Sequence, residues 1–208
     1  MDWIGIENMT VARRYFTLTT LGDKILAAGG DTPQGWTATV EVFDGSSWKL
    51  QNYKLTSPRK DHCAVPISES EVMLIGGYYG GFLLSLVETY SIEKGFIAEL
   101  PSMPTSRYGI GCSMFKGEIW TAGGTNGNGY ILDVVEILTP GFTGGTWRSG
   151  PKLAMGRSWL RMEVLDNSLV VFGGAGAAES LEMLDGEEWR EEPLQYGHYM
   201  HASVSISC

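Results

Sequence analysis

The chain has 208 residues and a formal net charge of −9, from 15 basic and 24 acidic side chains. A nucleic-acid duplex is bound by a surface that neutralises phosphates, so this charge balance argues against a nucleic-acid partner. No apolar stretch reaches the roughly 18 residues of a membrane-spanning helix, and no signal-peptide pattern opens the chain. We therefore expect a cytoplasmic protein without a membrane partner, with secretion as the open alternative.

The first recurring element along the chain is a Gly-Gly pair that closes a short apolar run. The four pairs are Gly29-Gly30, Gly76-Gly77, Gly123-Gly124 and Gly173-Gly174. Their spacing of 47, 47 and 50 residues indicates an array of similar units. Because short alternating strands fill each unit, we predict an all-β fold, with a β-propeller as the leading architecture.

The second unit shows the layout that the others share. Its sequence predicts four strands, near residues 62–67, 72–75, 84–90 and 96–100, separated by polar or glycine-rich turns. Four short strands make one propeller blade. The predicted repeats cover approximately residues 11–53, 57–103, 105–151 and 155–194.

The two ends of the chain, residues 1–10 and 195–208, predict only parts of a further blade. Trp3 lies where a fourth strand is expected, and residues 201–207 resemble a first strand because they echo the run from His62. The ends would supply the outermost and innermost strands of one blade. We therefore predict four full blades in a propeller that is not fully closed.

Three more positions recur once per repeat. A glutamate lies in the third strand, an aromatic residue opens the fourth, and an arginine precedes the first. These residues are Glu41, Glu88, Glu136 and Glu182; Trp48, Phe96, Trp147 and Trp189; and Arg14, Arg59, Arg107 and Arg157. Together with the Gly-Gly pairs, this set resembles the kelch repeat. The resemblance implies a kelch-type propeller, and because kelch propellers commonly have six blades, it implies a longer protein.

Most of these recurring positions have a structural interpretation. Glycines permit close strand approach, and the aromatic side chains offer apolar area between adjacent blades. A glutamate in an otherwise apolar strand is expected to accept hydrogen bonds from the backbone or from a neighbouring blade.

The arginines are the candidate binding residues because equivalent loops open on one face of a propeller. In kelch domains that recruit substrates, the arginine before the first strand and the residue after Gly-Gly contact an acidic peptide. The resemblance thus implies a site whose members are Arg14, Arg59, Arg107, Arg157 and Tyr78, and we add the adjacent aromatic residues Tyr108 and Trp159. The alternative interpretation is that the arginines bond loop carbonyls between blades.

No catalytic, metal or cofactor site is predicted. The three histidines, His62, His198 and His201, have no acidic pair at ligand spacing. Cys63, Cys112 and Cys208 form no Cys-x-x-Cys motif, and we expect free thiols in a reducing compartment because strands of neighbouring blades make a bridge geometrically doubtful.

The expected function is non-catalytic protein–protein recognition, in which loops around the propeller mouth bind a protein or peptide segment of acidic or mixed character. Many kelch domains act as substrate adaptors for ubiquitin ligases, so the resemblance also implies that role. Two alternatives stay open: an enzyme such as a sugar-acid epimerase, and a structural scaffold that binds actin through its outer faces.

Overall fold

The computed structural model describes residues 5–141 and 144–193. Trp3 and the strand expected at residues 201–207 lie outside the described residues, as do His198, His201 and Cys208. Within the described part, the chain is all-β, and it holds no helix long and apolar enough to span a membrane.

Sixteen of the strands form four antiparallel sheets of four strands each, and these sheets are the blades. Blade 1 consists of β1 (Thr17–Leu21), β2 (Lys24–Ala28), β5 (Val40–Phe43) and β6 (Trp48–Leu50). Blade 2 consists of β7 (Cys63–Pro66), β8 (Glu71–Ile75), β11 (Val87–Ser91) and β12 (Gly95–Leu100). Blade 3 consists of β13 (Gly111–Phe115), β14 (Glu118–Ala122), β15 (Val135–Thr139) and β16 (Thr146–Ser149). Blade 4 consists of β17 (Arg161–Leu165), β18 (Ser168–Phe172), β19 (Ser180–Asp185) and β20 (Glu188–Pro193).

The loops that follow the first two Gly-Gly pairs each contain a short hairpin. The hairpins are β3 (Asp31–Thr32) with β4 (Gly35–Trp36), and β9 (Tyr78–Tyr79) with β10 (Phe82–Leu83). The innermost strands β1, β7, β13 and β17 pack against one another in that order. The four-bladed propeller predicted from the repeats is confirmed, and its ring of blades is open within the described residues.

The hydrophobic core lies between the blades. Three clusters fill the three interfaces, and each draws side chains from both neighbours. At the interface of blades 3 and 4, for example, Trp120 and Ile137 lie in one cluster with Met162 and Val171. A single blade is therefore too thin to bury its own apolar faces, and each blade depends on the next for stability.

The Gly-Gly pairs are required by contacts on both sides of this interface. A Cβ on the first glycine of the second pair, Gly76, would lie 2.9 Å from the Arg107 carbonyl of the next blade. A Cβ on the second glycine, Gly77, would lie 2.8 Å from the Lys60 carbonyl of its own blade. The Gly77 amide also donates to the Arg107 carbonyl at 3.0 Å. The missing side chains thus let a backbone hydrogen bond join adjacent blades.

We expect Gly76→Ala to destabilise the propeller more than Gly186→Ala. Both glycines have the same left-handed backbone, with φ of 63° and 65°, but Gly186 has no atom within 4 Å of a built Cβ. The backbone strain of about 1–2 kcal/mol is common to both variants, and overpacking adds about 1–3 kcal/mol only at Gly76. Urea unfolding measures the difference, and equal losses of unfolding free energy would contradict it.

The expectation of free thiols at Cys63 and Cys112 is wrong, because the two cysteines form a disulfide. They lie on β7 and β13, the innermost strands of blades 2 and 3, where the blades converge and the two Cα atoms are 6.1 Å apart. That separation is ordinary for a bridge. The inference of a reducing compartment rested on free thiols, so it loses this support.

We expect the bridge to stabilise the fold because it closes a loop between residues 49 apart in sequence. Reduction of the native protein should lower the free energy of unfolding by about 2–4 kcal/mol. A Cys63→Ala/Cys112→Ala variant is the control, since its urea unfolding should not respond to reductant. Titration of three reactive thiols in unreduced, unfolded protein would show that no bridge exists.

Candidate partner-binding site

The structure corrects the placement of three of the four predicted arginines. Arg59, Arg107 and Arg157 are each 0% exposed, so their guanidinium groups do not face the propeller opening. Each pairs with the third-strand glutamate of its own blade. The pairs are Arg59–Glu88 at 2.5 Å, Arg107–Glu136 at 3.1 Å and Arg157–Glu182 at 2.8 Å. These three arginines are internal parts of the blades and are not available to a partner.

Each glutamate also holds the loop that leads into its blade. Glu182 accepts the backbone amide of Ala154 at 2.6 Å, and Glu88 accepts that of Thr56 at 3.0 Å. Blade 3 has Pro104 at this place, which has no amide hydrogen, and Glu136 instead accepts the Thr105 hydroxyl at 2.7 Å. The hydrogen-bonding role predicted for the glutamates is therefore confirmed.

The arginines complete the same network by donating to backbone carbonyls. Arg157 Nη1 donates to the Gly173 carbonyl at 3.2 Å and to the Ser180 carbonyl at 2.9 Å, both within blade 4. A second interpretation from the sequence was that the arginines bond loop carbonyls between blades. The arginines do bond carbonyls, but these bonds lie within a blade and do not cross to its neighbour.

The fourth predicted arginine, Arg14, is not the equivalent of the other three, because the buried arginine of blade 1 is one residue earlier. Its neighbour Arg13 occupies the buried position and pairs with Glu41 at 2.6 Å. Arg14 is exposed and pairs with Asp31 at 2.9 Å. The spacing to the Gly-Gly pair could have shown this, because Arg13, Arg107 and Arg157 all precede the first glycine by 16 residues.

Breaking one of the buried ion pairs should destabilise the fold strongly. Burial lowers the pKa of Arg107 to about 10, while the nearby Glu136 charge opposes that shift. A buried charge that loses its partner typically costs about 3–5 kcal/mol, whereas an exposed pair contributes about 0–1 kcal/mol.

We therefore expect Glu88→Gln to lower the free energy of unfolding by about 3–5 kcal/mol, because Arg59 would stay buried without a counter-ion. Glu118→Gln, which breaks the half-exposed pair with Arg148, should cost less than about 1 kcal/mol. Replacing both partners, as Arg59→Met/Glu88→Leu, should recover most of the loss. Equal effects of the two single variants in urea unfolding would contradict this account.

One face of the propeller carries the loops that enter each first strand and the loops that follow each Gly-Gly pair. We call it the mouth face. Within each blade, the residue after the buried arginine forms a backbone bridge to the residue after Gly-Gly. The bridged pairs are Arg14 with Asp31, Lys60 with Tyr78, Tyr108 with Thr125, and Ser158 with Ala175. The two loop sets therefore form one surface.

A chain of backbone hydrogen bonds runs around the mouth from blade to blade. The Asp61 amide donates to the Tyr15 carbonyl at 2.9 Å, Gly109 to Asp61 at 2.8 Å, and Trp159 to Gly109 at 2.7 Å. All four residues have left-handed backbones, with φ between 51° and 66°. The same position in each repeat thus joins neighbouring blades, and Tyr15, Asp61 and Trp159 at this position line the central cavity.

Four aromatic rings, one from each blade, form a continuous row across the mouth face. They are Trp36, Tyr78, Tyr108 and Trp159, and we call them the aromatic row. The centroids of successive rings are 6.2, 5.7 and 5.7 Å apart. Edge-to-face and tilted contacts at these distances are favourable. The structure thus brings together three predicted residues, Tyr78, Tyr108 and Trp159, whose partner binding stays a prediction.

The charged groups around the row are held by contacts within the chain. Lys60 Nζ lies 5.0 Å from the Tyr15 ring centroid and 5.7 Å from that of Tyr78. Trp159 Nε1 donates to Asp61 Oδ1 at 3.1 Å. Burial raises the pKa of the Asp61 carboxyl, and the hydrogen bond from Trp159 opposes that shift.

A second set of apolar side chains lies at the tips of the loops after Gly-Gly, and we call it the rim patch. Its members are Tyr79, Phe82, Tyr130 and Ile131, of which Phe82 is 74% and Tyr130 68% exposed. The patch joins the aromatic row, since the Trp36 and Tyr79 rings are 5.9 Å apart.

The sequence missed Trp36, Lys60, Asp61 and the rim patch. For Asp61 a signal existed, because it lies two residues after Arg59, as Trp159 lies two residues after Arg157. Trp36 and the rim patch lie in loops of unequal sequence, where no repeated position marks them.

The innermost strands surround a central cavity of about 910 Å³ below the mouth. Within the described ranges, no three His, Cys, Asp or Glu side chains are grouped so as to hold a metal ion. His62 is buried at the interface of blades 1 and 2, where its Nε2 lies 3.1 Å from Thr17 Oγ1.

The chain is similar in sequence to several known proteins. Alpha-scruin of Limulus polyphemus is 26% identical over 229 residues, which cover 99% of this chain and 25% of alpha-scruin. Kelch-like protein 36 of Rattus norvegicus and of Mus musculus is 23% identical over 192 residues, which cover 88% of this chain and 31% of each relative. The chain thus spans about a quarter to a third of the curated relatives that it matches.

The solved structure of YjhT has the same fold, with a TM-score of 0.70 over 88% of this chain and 70% of that one. At 13% identity this likeness concerns the fold alone. No protein-family model matches the chain. The recurring residues, the four antiparallel blades and the similarity to Kelch-like protein 36 are together consistent with a kelch-repeat propeller.

Proposed function

We propose that the chain is a non-catalytic module that binds a segment of a partner protein on its mouth face. The observation that carries this proposal is the apolar character of that face. Six of the sixteen exposed large apolar side chains of the described residues lie around the mouth, namely Tyr15, Trp36, Tyr79, Phe82, Tyr130 and Ile131. Exposed apolar patches of this kind mark interaction sites on soluble proteins.

The residue types of the mouth face also support partner binding. Tyrosine and tryptophan dominate the aromatic row, and these residues are enriched among the energetic hot spots of protein interfaces. The row is rigid because each ring contacts the next and the backbone beneath it is hydrogen-bonded from blade to blade. A rigid surface loses little conformational entropy on binding.

The burial of the arginines changes the expected partner. An acidic peptide was inferred from four guanidinium groups at the opening, but only Arg14 lies there, and it already pairs with Asp31. We therefore propose contacts that are mainly apolar, with Lys60 as the cation available to a mixed segment. A substrate-adaptor role is a narrower form of this proposal and rests on the family resemblance.

Replacement of rim residues should abolish partner capture without unfolding the protein. We expect Phe82→Ser/Tyr130→Ser to lower capture by at least tenfold, because it removes two large exposed side chains from the mouth face. The matched control is Ile97→Ser, which removes an apolar side chain of 40% exposure from the outermost strand of blade 2. Capture from an extract of the source cells is quantified by mass spectrometry, with thermal melting as the folding check.

Comparing the partner capture lost by the two variants distinguishes binding at the mouth face from binding at the outer blade edges. Loss with the Ile97 variant and retention with the rim variant would favour a scaffold that binds through its outer edges. Retention of all captured proteins by the rim variant would contradict binding at the mouth face.

A further inference from the structure

The disulfide lies close to the mouth face, next to the ring of backbone hydrogen bonds. Cys63 follows Asp61 by two residues, and Cys112 follows Gly109 by three. The Gly109 amide donates to the Asp61 carbonyl at 2.8 Å, so this hydrogen bond joins the same two blades as the disulfide. The mouth ends of blades 2 and 3 are therefore held together by a covalent bond.

The same two blades supply two adjacent rings of the aromatic row. In blade 3, Tyr108 directly precedes Gly109. In blade 2, Tyr78 forms a backbone bridge with Lys60, which directly precedes Asp61. The Tyr78 and Tyr108 ring centroids are 5.7 Å apart. This contact crosses the interface beside the Gly109–Asp61 bond, so it depends on how closely the two blades are held.

The two neighbouring interfaces are held near the mouth by hydrogen-bonding side chains. Between blades 1 and 2, Thr17 Oγ1 lies 3.1 Å from His62 Nε2. Between blades 3 and 4, the Thr125 hydroxyl donates to the Ser158 hydroxyl at 2.8 Å. A thiol does not react with these groups, so among the described residues it would act on the interface of blades 2 and 3 alone.

The bridge is accessible from the central cavity. Both cysteines line this cavity of about 910 Å³, and they are 8% and 9% exposed. Thiol–disulfide exchange requires that a thiolate reach one of the two sulfurs. A small thiol such as glutathione fits a space of this size, whereas a folded protein reductase does not.

We propose that the Cys63–Cys112 bridge is a redox-sensitive switch for partner binding at the mouth face. With the bridge closed, Tyr78 and Tyr108 are held in the arrangement that binds the partner. With the bridge reduced, blades 2 and 3 move more freely at their mouth ends, and binding then costs more conformational entropy. The inference rests on the proposed function, since it concerns the regulation of the same face.

The reaction is thiol–disulfide exchange. The thiolate of a small thiol attacks one sulfur of the bridge, the S–S bond breaks, and the other cysteine leaves as a thiolate that takes up a proton. A second small thiolate then attacks the mixed disulfide and releases the first cysteine. The bridge gains two electrons and two protons and becomes two thiols, while the small thiol is oxidised to its disulfide dimer.

Hydrogen exchange of the whole chain tests the switch without a partner. The Gly109 amide reports on the interface of blades 2 and 3, and the Trp159 amide reports on that of blades 3 and 4. We expect reduction by glutathione to speed exchange about tenfold at Gly109 and less than about twofold at Trp159, because the opening is local. Equal acceleration at both amides, or a folded chain that glutathione does not reduce, would overturn the inference.

Partner capture tests the consequence for binding. We expect the reduced chain to capture about tenfold less partner, and oxidised glutathione to restore capture. Cys63→Ala/Cys112→Ala should capture as weakly as the reduced chain and should not respond to glutathione. This control keeps Cys208, so it excludes an effect at that thiol. Thermal melting checks that each form is folded at the assay temperature, and equal capture by folded oxidised and reduced chains would overturn the inference.

Failure of the switch and failure of the proposed function give different results. If Phe82→Ser/Tyr130→Ser loses the partner while the oxidised and reduced chains capture it equally, the mouth face binds the partner but the bridge does not regulate it. If the rim variant keeps the partner, the proposed function fails, and the switch fails with it.

Discussion

The fold depends on one buried ion pair in each blade. An arginine before the first strand and a glutamate in the third are fully or almost fully buried and within 2.5–3.1 Å of each other in all four blades. The glutamate holds the incoming loop, and the arginine holds the carbonyls beside Gly-Gly. These pairs fix the geometry of the mouth loops because breaking one leaves a buried charge.

The mouth face is a consequence of this internal network. With the arginines turned into the blades, the next two residues of each repeat form the backbone bridges and the ring of hydrogen bonds between blades. The left-handed residues Tyr15, Asp61 and Trp159 at that ring line the central cavity. A structural requirement that repeats in every blade thus supports a surface whose side chains differ from blade to blade.

The sequence predicted the features that every blade needs, namely the strands, the Gly-Gly contacts and the role of glutamates such as Glu88. It did not predict which way the arginines point, because burial of Arg59 depends on a glutamate 29 residues away. It misplaced the first arginine because Arg13 and Arg14 are adjacent and both precede β1, so residue type alone does not distinguish the buried arginine from the exposed one. It missed the disulfide because only the convergence of the inner strands brings Cys63 and Cys112 together.

The central claim is that the arginines shape the mouth face from inside and do not contact the partner. The most direct test labels the native chain with an arginine-specific reagent such as phenylglyoxal, with and without the captured partner, and locates the adducts by mass spectrometry. We expect Arg59, Arg107 and Arg157, which are 0% exposed, to stay unlabelled in the folded chain whether or not the partner is present. Labelling of any of the three in the folded chain, together with protection by the partner, would contradict the claim.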